Sequence, residues 1–281
     1  MKRDDGTEPR GFLVAVGGAE DKKFELKVLR EICDLPEGGT KTVEVVPLAS
    51  SEPKESSEDY IAAFGRIGVP NVRVMDIRSR ADAAKQELVD RVRASDVVFF
   101  TGGDQLKITS VLGGSPVLKA IKTHYLNGGV VAGTSAGVAA MSGTMIFEGE
   151  AEKSMRKGNV MMTPGLGLIT SAVIDTHFIQ RGRVSRLLEV VTSNPGYIGL
   201  GLGEDTGIVI RHGHLVEVMG TGVVVVVDGH RLKYTNIYDV DIGKPIAVEH
   251  MILHTLVAGH GYDLREQRYL PPDANGNGND A

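Results

Sequence analysis

An alternation of strand-like and helix-like runs through the first half of the chain limits its fold more than any other feature. Apolar, β-branched stretches at residues 11–16, 42–48, 72–77, 97–101 and 129–132 are separated by helix-like stretches at 20–35, 57–67, 81–93 and 117–127. Such an order closes its hydrogen bonds through crossovers, and the repeated unit gives a mainly parallel sheet covered by helices on both faces. The helices carry the period this packing needs. In the first, Phe24, Val28 and Ile32 recur every four residues with Leu29 and Leu35 alongside, and lysines and glutamates fall between them. These apolar residues are expected to face the core.

Beyond Gly165 the pattern changes. Residues 172–175 read as a strand, 183–193 as a helix, 199–202 as a strand, and 207–227 as antiparallel hairpins turning at His212-Gly213 and near Gly220. The five valines at 223–227 read as a buried strand. His250 and His254 lie four apart in what is expected to be the final helix; the acidic partner of a zinc motif is missing there. No Pro/Gly/Ser linker divides the chain, so residues 1–270 are expected to form a single α/β domain. The Gly/Asn-rich tail at 271–281 is expected to be disordered.

Lysines and arginines number 31 against 36 aspartates and glutamates, spread without a run, which argues against a nucleic-acid or membrane partner. The one cysteine, Cys33, excludes a disulfide framework and a zinc site built from several cysteines. The N-terminus is charged and no apolar run is long enough to span a bilayer, so a cytoplasmic location is expected.

The segment with most chemical content is Gly133-Thr134-Ser135-Ala136-Gly137, placed between a β-branched strand and the small-residue run Val138-Ala139-Ala140-Met141. G-x-S-x-G between a strand and a helix is a nucleophile elbow: the glycines permit a sharp turn that lifts the serine Oγ clear of the sheet. A serine nucleophile needs a base, a group that orients the base, and donors for the oxyanion. Of the eight histidines, His177 sits just past the end of a strand, where an open α/β sheet carries its functional loops. Glu204, also at a strand end, is preferred as the orienting carboxylate, because a packed sheet edge holds a side chain more rigidly than a charged loop. Glu148, Glu150 and Glu152 are the alternative. The N–H groups of Ala136 and Gly103 are candidate oxyanion donors. Arg181, Arg183 and Arg186 follow His177 and would suit a substrate rich in carboxylates, with Asp175 available to a substrate cation. Gly17-Gly18 lacks the spacing of a dinucleotide-binding loop.

Taken together, Phe100-Thr101-Gly102-Gly103-Asp104-Gln105, the Gly133 to Gly137 elbow, Thr163-Pro164-Gly165-Leu166-Gly167-Leu168, Asp175-Thr176-His177-Phe178 with its arginines, and the run at 199–206 resemble cyanophycinases. These are serine-type exopeptidases that release β-aspartyl-arginine from cyanophycin, a polyaspartate carrying arginine on its β-carboxyls. The resemblance implies a class I glutamine amidotransferase-like (flavodoxin-like) fold, a homodimer, and no metal or organic cofactor. It places Ser135, His177 and Glu204 as the catalytic residues and Gln105, Asp175, Thr176, Arg181, Arg183 and Arg186 along the substrate pocket. The chain departs from the pattern at Gly203, where an acid is expected, at Gly207, where alanine is usual, at Thr176, which replaces an amide, and at Lys153, which replaces an acid in some members. An aspartyl dipeptidase and a catalytically silent binding protein are the competing readings. A glutamine amidotransferase is disfavoured because that chemistry uses cysteine at the elbow.

Overall fold

The computed structural model describes residues 6–153 and 155–272. Strands β1 (Phe12–Val16), β2 (Thr42–Val46), β3 (Asn71–Val74), β4 (Val97–Phe100) and β5 (Val130–Thr134) run parallel in the order β1-β5-β4-β2-β3. Helices α1 (Lys27–Asp34), α2 (Pro53–Ile67), α3 (Gln86–Arg93), α4 (Gln105–Leu112) and α5 (Pro116–Leu126) connect them. Because both faces are covered, successive side chains of one strand enter different cores. Leu13 and Ala15 of β1 pack with Val92, Ile121 and Tyr125, whereas Val14 and Val16 pack with Leu29, Ile32, Tyr60 and Phe64.

Helix α6 (Ala136–Ala139) follows β5, and β6 (Thr144–Glu148) and β7 (Met161–Pro164) form a hairpin beyond it. Next come β8 (Ala172–Asp175), α7 (Val184–Ser193) and β9 (Ile198–Leu202), a parallel crossover in a second sheet. Strands β10 (Thr206–Arg211) and β11 (Leu215–Gly220) return to the first sheet as an antiparallel hairpin, with β10 against β1. The chain continues through β12 (Val224–Asp228), β13 (Tyr234–Thr235), β14 (Val248–Glu249), β15 (Ile252–Leu256), β16 (Gly261–Asp263) and β17 (Arg268–Leu270). The result is a nine-stranded mixed sheet ending in β11-β16-β17 and a four-stranded sheet of order β15-β12-β9-β8. A two-stranded β13-β14 ribbon stands beside them. No helix among the described residues is long and apolar enough to cross a membrane.

Three sequence expectations are corrected. The first helix starts at Lys27, not residue 20, and Phe24 is 82% exposed. Here the Asp21 carboxylate accepts the N–H groups of Lys23, Phe24, Glu25 and Leu26, folding the segment into a turn that competes with helix. Those backbone donors, Leu26 foremost, hold the Asp21 carboxyl down to about 2. The valine strand does not hairpin with β11: after Gly220 the chain changes sheet, and β12 lies between β9 and β15. His254 is on strand β15, not a helix, and His250 precedes it. The ring of His254 packs near Tyr262 and Tyr269, and among the described residues no group of three His, Cys, Asp or Glu side chains is placed to hold a metal ion. Of the tail expected to be disordered, 273–281 lie outside the described residues.

Candidate active site

The exits of β1, β5, β8 and β9 meet at one edge of the two sheets, and the side chains singled out in the sequence meet there. Ser135 is where β5 becomes α6. Its N–H still donates in strand fashion to Val16 O (3.0 Å), while its carbonyl already accepts from Val138 and Ala139 (both 3.0 Å). One residue serving a strand on one side and a helix on the other is driven to φ 51°, ψ −117°. Such a conformation costs a non-glycine residue on the order of 1–3 kcal/mol. Gly137 makes the turn feasible, because a Cβ there would lie 2.6 Å from Phe100 O.

Ser135 Oγ lies 3.0 Å from His177 Nε2, and His177 Nδ1 lies 2.7 Å from Glu204 Oε1. The His177 side chain is 13% exposed and that of Glu204 33%. His177 follows β8 with φ 49°; its N–H donates to Gly17 O (2.8 Å), and Phe178 N–H donates to Leu202 O. Glu204 follows β9, with its N–H donating to Gln180 Oε1 (3.2 Å). Each side chain of the line is therefore set by the end of a strand. Glu150, the alternative carboxylate, instead pairs with Lys153 at 2.8 Å.

Gly103, Gln105, Ala136, Asp175, Thr176, Arg181, Arg183 and Arg186 line one pocket with Ser135. Asp175 is 2% exposed and fully engaged. Its Oδ1 accepts from Arg186 Nη2 (2.5 Å), Arg183 Nη1 (3.1 Å) and Thr176 N–H (3.0 Å), and its Oδ2 accepts from Arg186 Nε (2.8 Å). Arg183 also donates to Thr176 O and Arg186 to Gly149 O. Asp175 thus offers no free oxygen to a substrate cation; it is the hub that fixes two guanidinium groups. Burial is the main cause that pulls the Arg183 guanidinium below its usual range, and Arg186 and Arg181 add to it against the pull of Asp175. Arg181 is exposed, and its side chain has no ion-pair or hydrogen-bond partner among the described residues. Gln105 Nε2 donates to Ile146 O (3.1 Å), tying α4 to β6.

Two residues here escaped sequence reasoning. Gly18 backs the His177 ring: a Cβ there would meet its Cε1 at 2.3 Å. The Gly17-Gly18 pair was the available signal, and its lack of dinucleotide spacing concealed another use. Glu20, 4% exposed, accepts from Thr134 Oγ1 (2.7 Å) and from the Tyr60 hydroxyl. Nothing in Ala-Glu-Asp-Lys-Lys distinguishes a buried glutamate from the solvated charges that follow it.

This architecture, a mixed sheet with a parallel centre under helices and an antiparallel C-terminal flank, is one used by peptidases. A peptidase from an acI-B1 actinobacterium superposes with a TM-score of 0.69 at 20% identity, covering 92% of this chain and 98% of that one. The model of peptidase family S51 matches residues 12–218, and the chain belongs to that family. Among its relatives are proteins named cyanophycinase. It is 33% identical to that of Geminocystis herdmanii over 93% of this chain and 96% of the relative. It is 34% identical to that of a Nostoc species (92% and 87%) and 32% identical to that of Synechococcus elongatus (94% and 84%).

Proposed function

We propose that this peptidase is a serine-type cyanophycinase, cleaving multi-L-arginyl-poly-L-aspartate to β-aspartyl-arginine through an acyl-enzyme. The observation that carries the reading is the continuous hydrogen-bonded line Ser135–His177–Glu204 facing a pocket rich in arginine. His177 Nε2 takes the Ser135 proton as Oγ attacks a backbone aspartyl carbonyl, and Glu204 steadies the imidazolium through Nδ1–H. The N–H groups of Gly103 and Ala136 receive the oxyanion. His177 then returns the proton to the leaving amine, and water, deprotonated by the same nitrogen, hydrolyses the ester.

Arg181, whose side chain has no partner among the described residues, is the group best placed to receive a substrate carboxylate. Arg183 and Arg186, held by Asp175, supply a fixed positive wall. The relatives at 32–34% identity, each aligned over more than nine-tenths of this chain, support the substrate assignment.

The test is incubation of the purified protein with insoluble cyanophycin and mass spectrometry of the supernatant, with β-aspartyl-arginine as the expected product. An intact polymer alongside cleavage of α-aspartyl dipeptides would move the substrate assignment to short peptides. A second measurement addresses the third carboxylate. Glu204→Gln keeps the shape but removes the charge that balances the imidazolium, and turnover is expected to fall about ten-thousandfold. Glu150→Gln, at the Lys153 pair, is expected to stay near wild type; the opposite ranking would displace Glu204 from the mechanism.

A further inference from the structure

The buried carboxylate of Glu20 has an unusual set of partners. Both are neutral hydroxyls: Thr134 Oγ1 donates to Oε2 at 2.7 Å and the Tyr60 hydroxyl donates to Oε1. Among the described residues Glu20 forms no ion pair; the Lys22 Nζ lies over the ring of its partner Tyr60, 4.9 Å from the centroid. Burial first, and the Glu20 charge second, push the Tyr60 phenol well above its usual range, so it remains a donor. A buried carboxylate without a cation is a poor source of stability, and an apolar trio of similar shape would serve a core as well or better. Fold stability alone therefore explains little of this arrangement.

What the carboxylate joins gives a better account. Thr134 immediately precedes Ser135, whose strained φ of 51° must be held by its surroundings. Glu20 lies in the loop leaving β1, and the same loop touches the rest of the catalytic line. Gly17 O accepts from His177 N–H, Gly18 lies against the His177 ring, and Gly18 O accepts from Asp205 N–H next to Glu204. Each Glu20 oxygen accepts from one hydroxyl, so both hydroxyls are turned inward onto the same side chain.

We propose that Glu20 is a positioning residue, which locks the loop behind His177 to the strand end that carries Ser135 and so fixes the spacing between nucleophile and base. The inference rests on the serine-peptidase reading above. Thr134→Val and Tyr60→Phe provide a matched pair, since each deletes one hydroxyl with little change of shape and leaves one Glu20 oxygen unpaired. Only Thr134→Val cuts the link to the elbow.

The measurement is the rate at which a fluorophosphonate labels Ser135, with thermal melting recorded alongside. Thr134→Val is expected to slow labelling about tenfold or more, because small misplacements of reacting groups cost that much. Tyr60→Phe, at a similar loss of melting temperature, and Thr134→Ser, which restores the hydroxyl, are expected to label close to wild type. Equal slowing in the Val and Phe variants, or no slowing in the Val variant, would overturn the proposal. Should Thr134→Val fail to fold, Glu20→Gln decides: slowed labelling of a folded protein supports the brace, and wild-type labelling refutes it. A wild type that does not label at all would sink the serine reading itself, and the brace with it.

Discussion

Ser135→Ala is expected to lose turnover by a factor of about a million while the fold persists, since removing a triad nucleophile alone has an effect of that size. At about 1.4 kcal/mol per decade this corresponds to roughly 8 kcal/mol of transition-state stabilisation. Stability should barely move. Alanine retains the Cβ and meets the same φ of 51°, so the strain is unchanged and the side-chain loss is the 3.0 Å contact to His177. Ser135→Gly provides a complementary reading. Glycine adopts positive φ freely, and the strain relieved exceeds its extra chain entropy, so the glycine variant should melt higher than alanine by about 1 kcal/mol of stability. Polymer assay, probe labelling and thermal melts on the two variants check both parts. Substantial turnover in Ser135→Ala would remove this serine from the chemistry, and a glycine variant less stable than alanine would show that the turn is not strained.

The parts of this structure that were legible in the sequence are those governed by short-range pattern. Alternating apolar runs identified the central strands, because strands buried on both faces are mostly apolar; buried Glu44 of β2, paired with Arg91, is an exception. The pentapeptide at 133–137 was readable because a strand-to-helix switch in one residue requires small neighbours. His177 and Glu204 could be chosen because open sheets gather their functional loops at strand ends. Failures occurred where local signals were outweighed by distant partners. Phe24 stands four residues before Val28, in helical spacing, yet one aspartate side chain collects four backbone N–H groups and turns the chain outward. Helix α4 was missed because its Ile, Thr and Val favour strands, although Asp104, whose carboxylate caps Leu106 N–H, was a usable start signal. His254, expected on a final helix, is on strand β15. The pairing of that strand with β12, five residues in register, decided it. For Asp175 the residue was identified but not its state: both oxygens are committed to arginines that come eight and eleven residues later in the chain.

A large effect is also expected at Gly18, a residue that takes no part in bond making. Its φ is +105°, already unfavourable for any other residue, and an added Cβ would stand 2.3 Å from His177 Cε1, 2.5 Å from Nε2 and 3.0 Å from Nδ1. Ordinary contact needs at least 3.4 Å, so in Gly18→Ala either the ring or the loop must retreat by about 1 Å. The ring has little freedom. It is held at 3.0 Å by Ser135 on one nitrogen and at 2.7 Å by Glu204 on the other, and its backbone N–H is tied to Gly17. Displacement on that scale breaks one or both contacts, and a misplacement of about 1 Å is worth roughly a hundredfold in rate. Turnover and fluorophosphonate labelling should therefore fall together by about that factor, with a further loss of about 1–2 kcal/mol in stability from the strained φ. A stability loss with full labelling would mean that the loop yields instead of the ring. In that case the alignment of His177 is set by its own strand end and by Glu204, and the glycine after β1 serves the backbone alone.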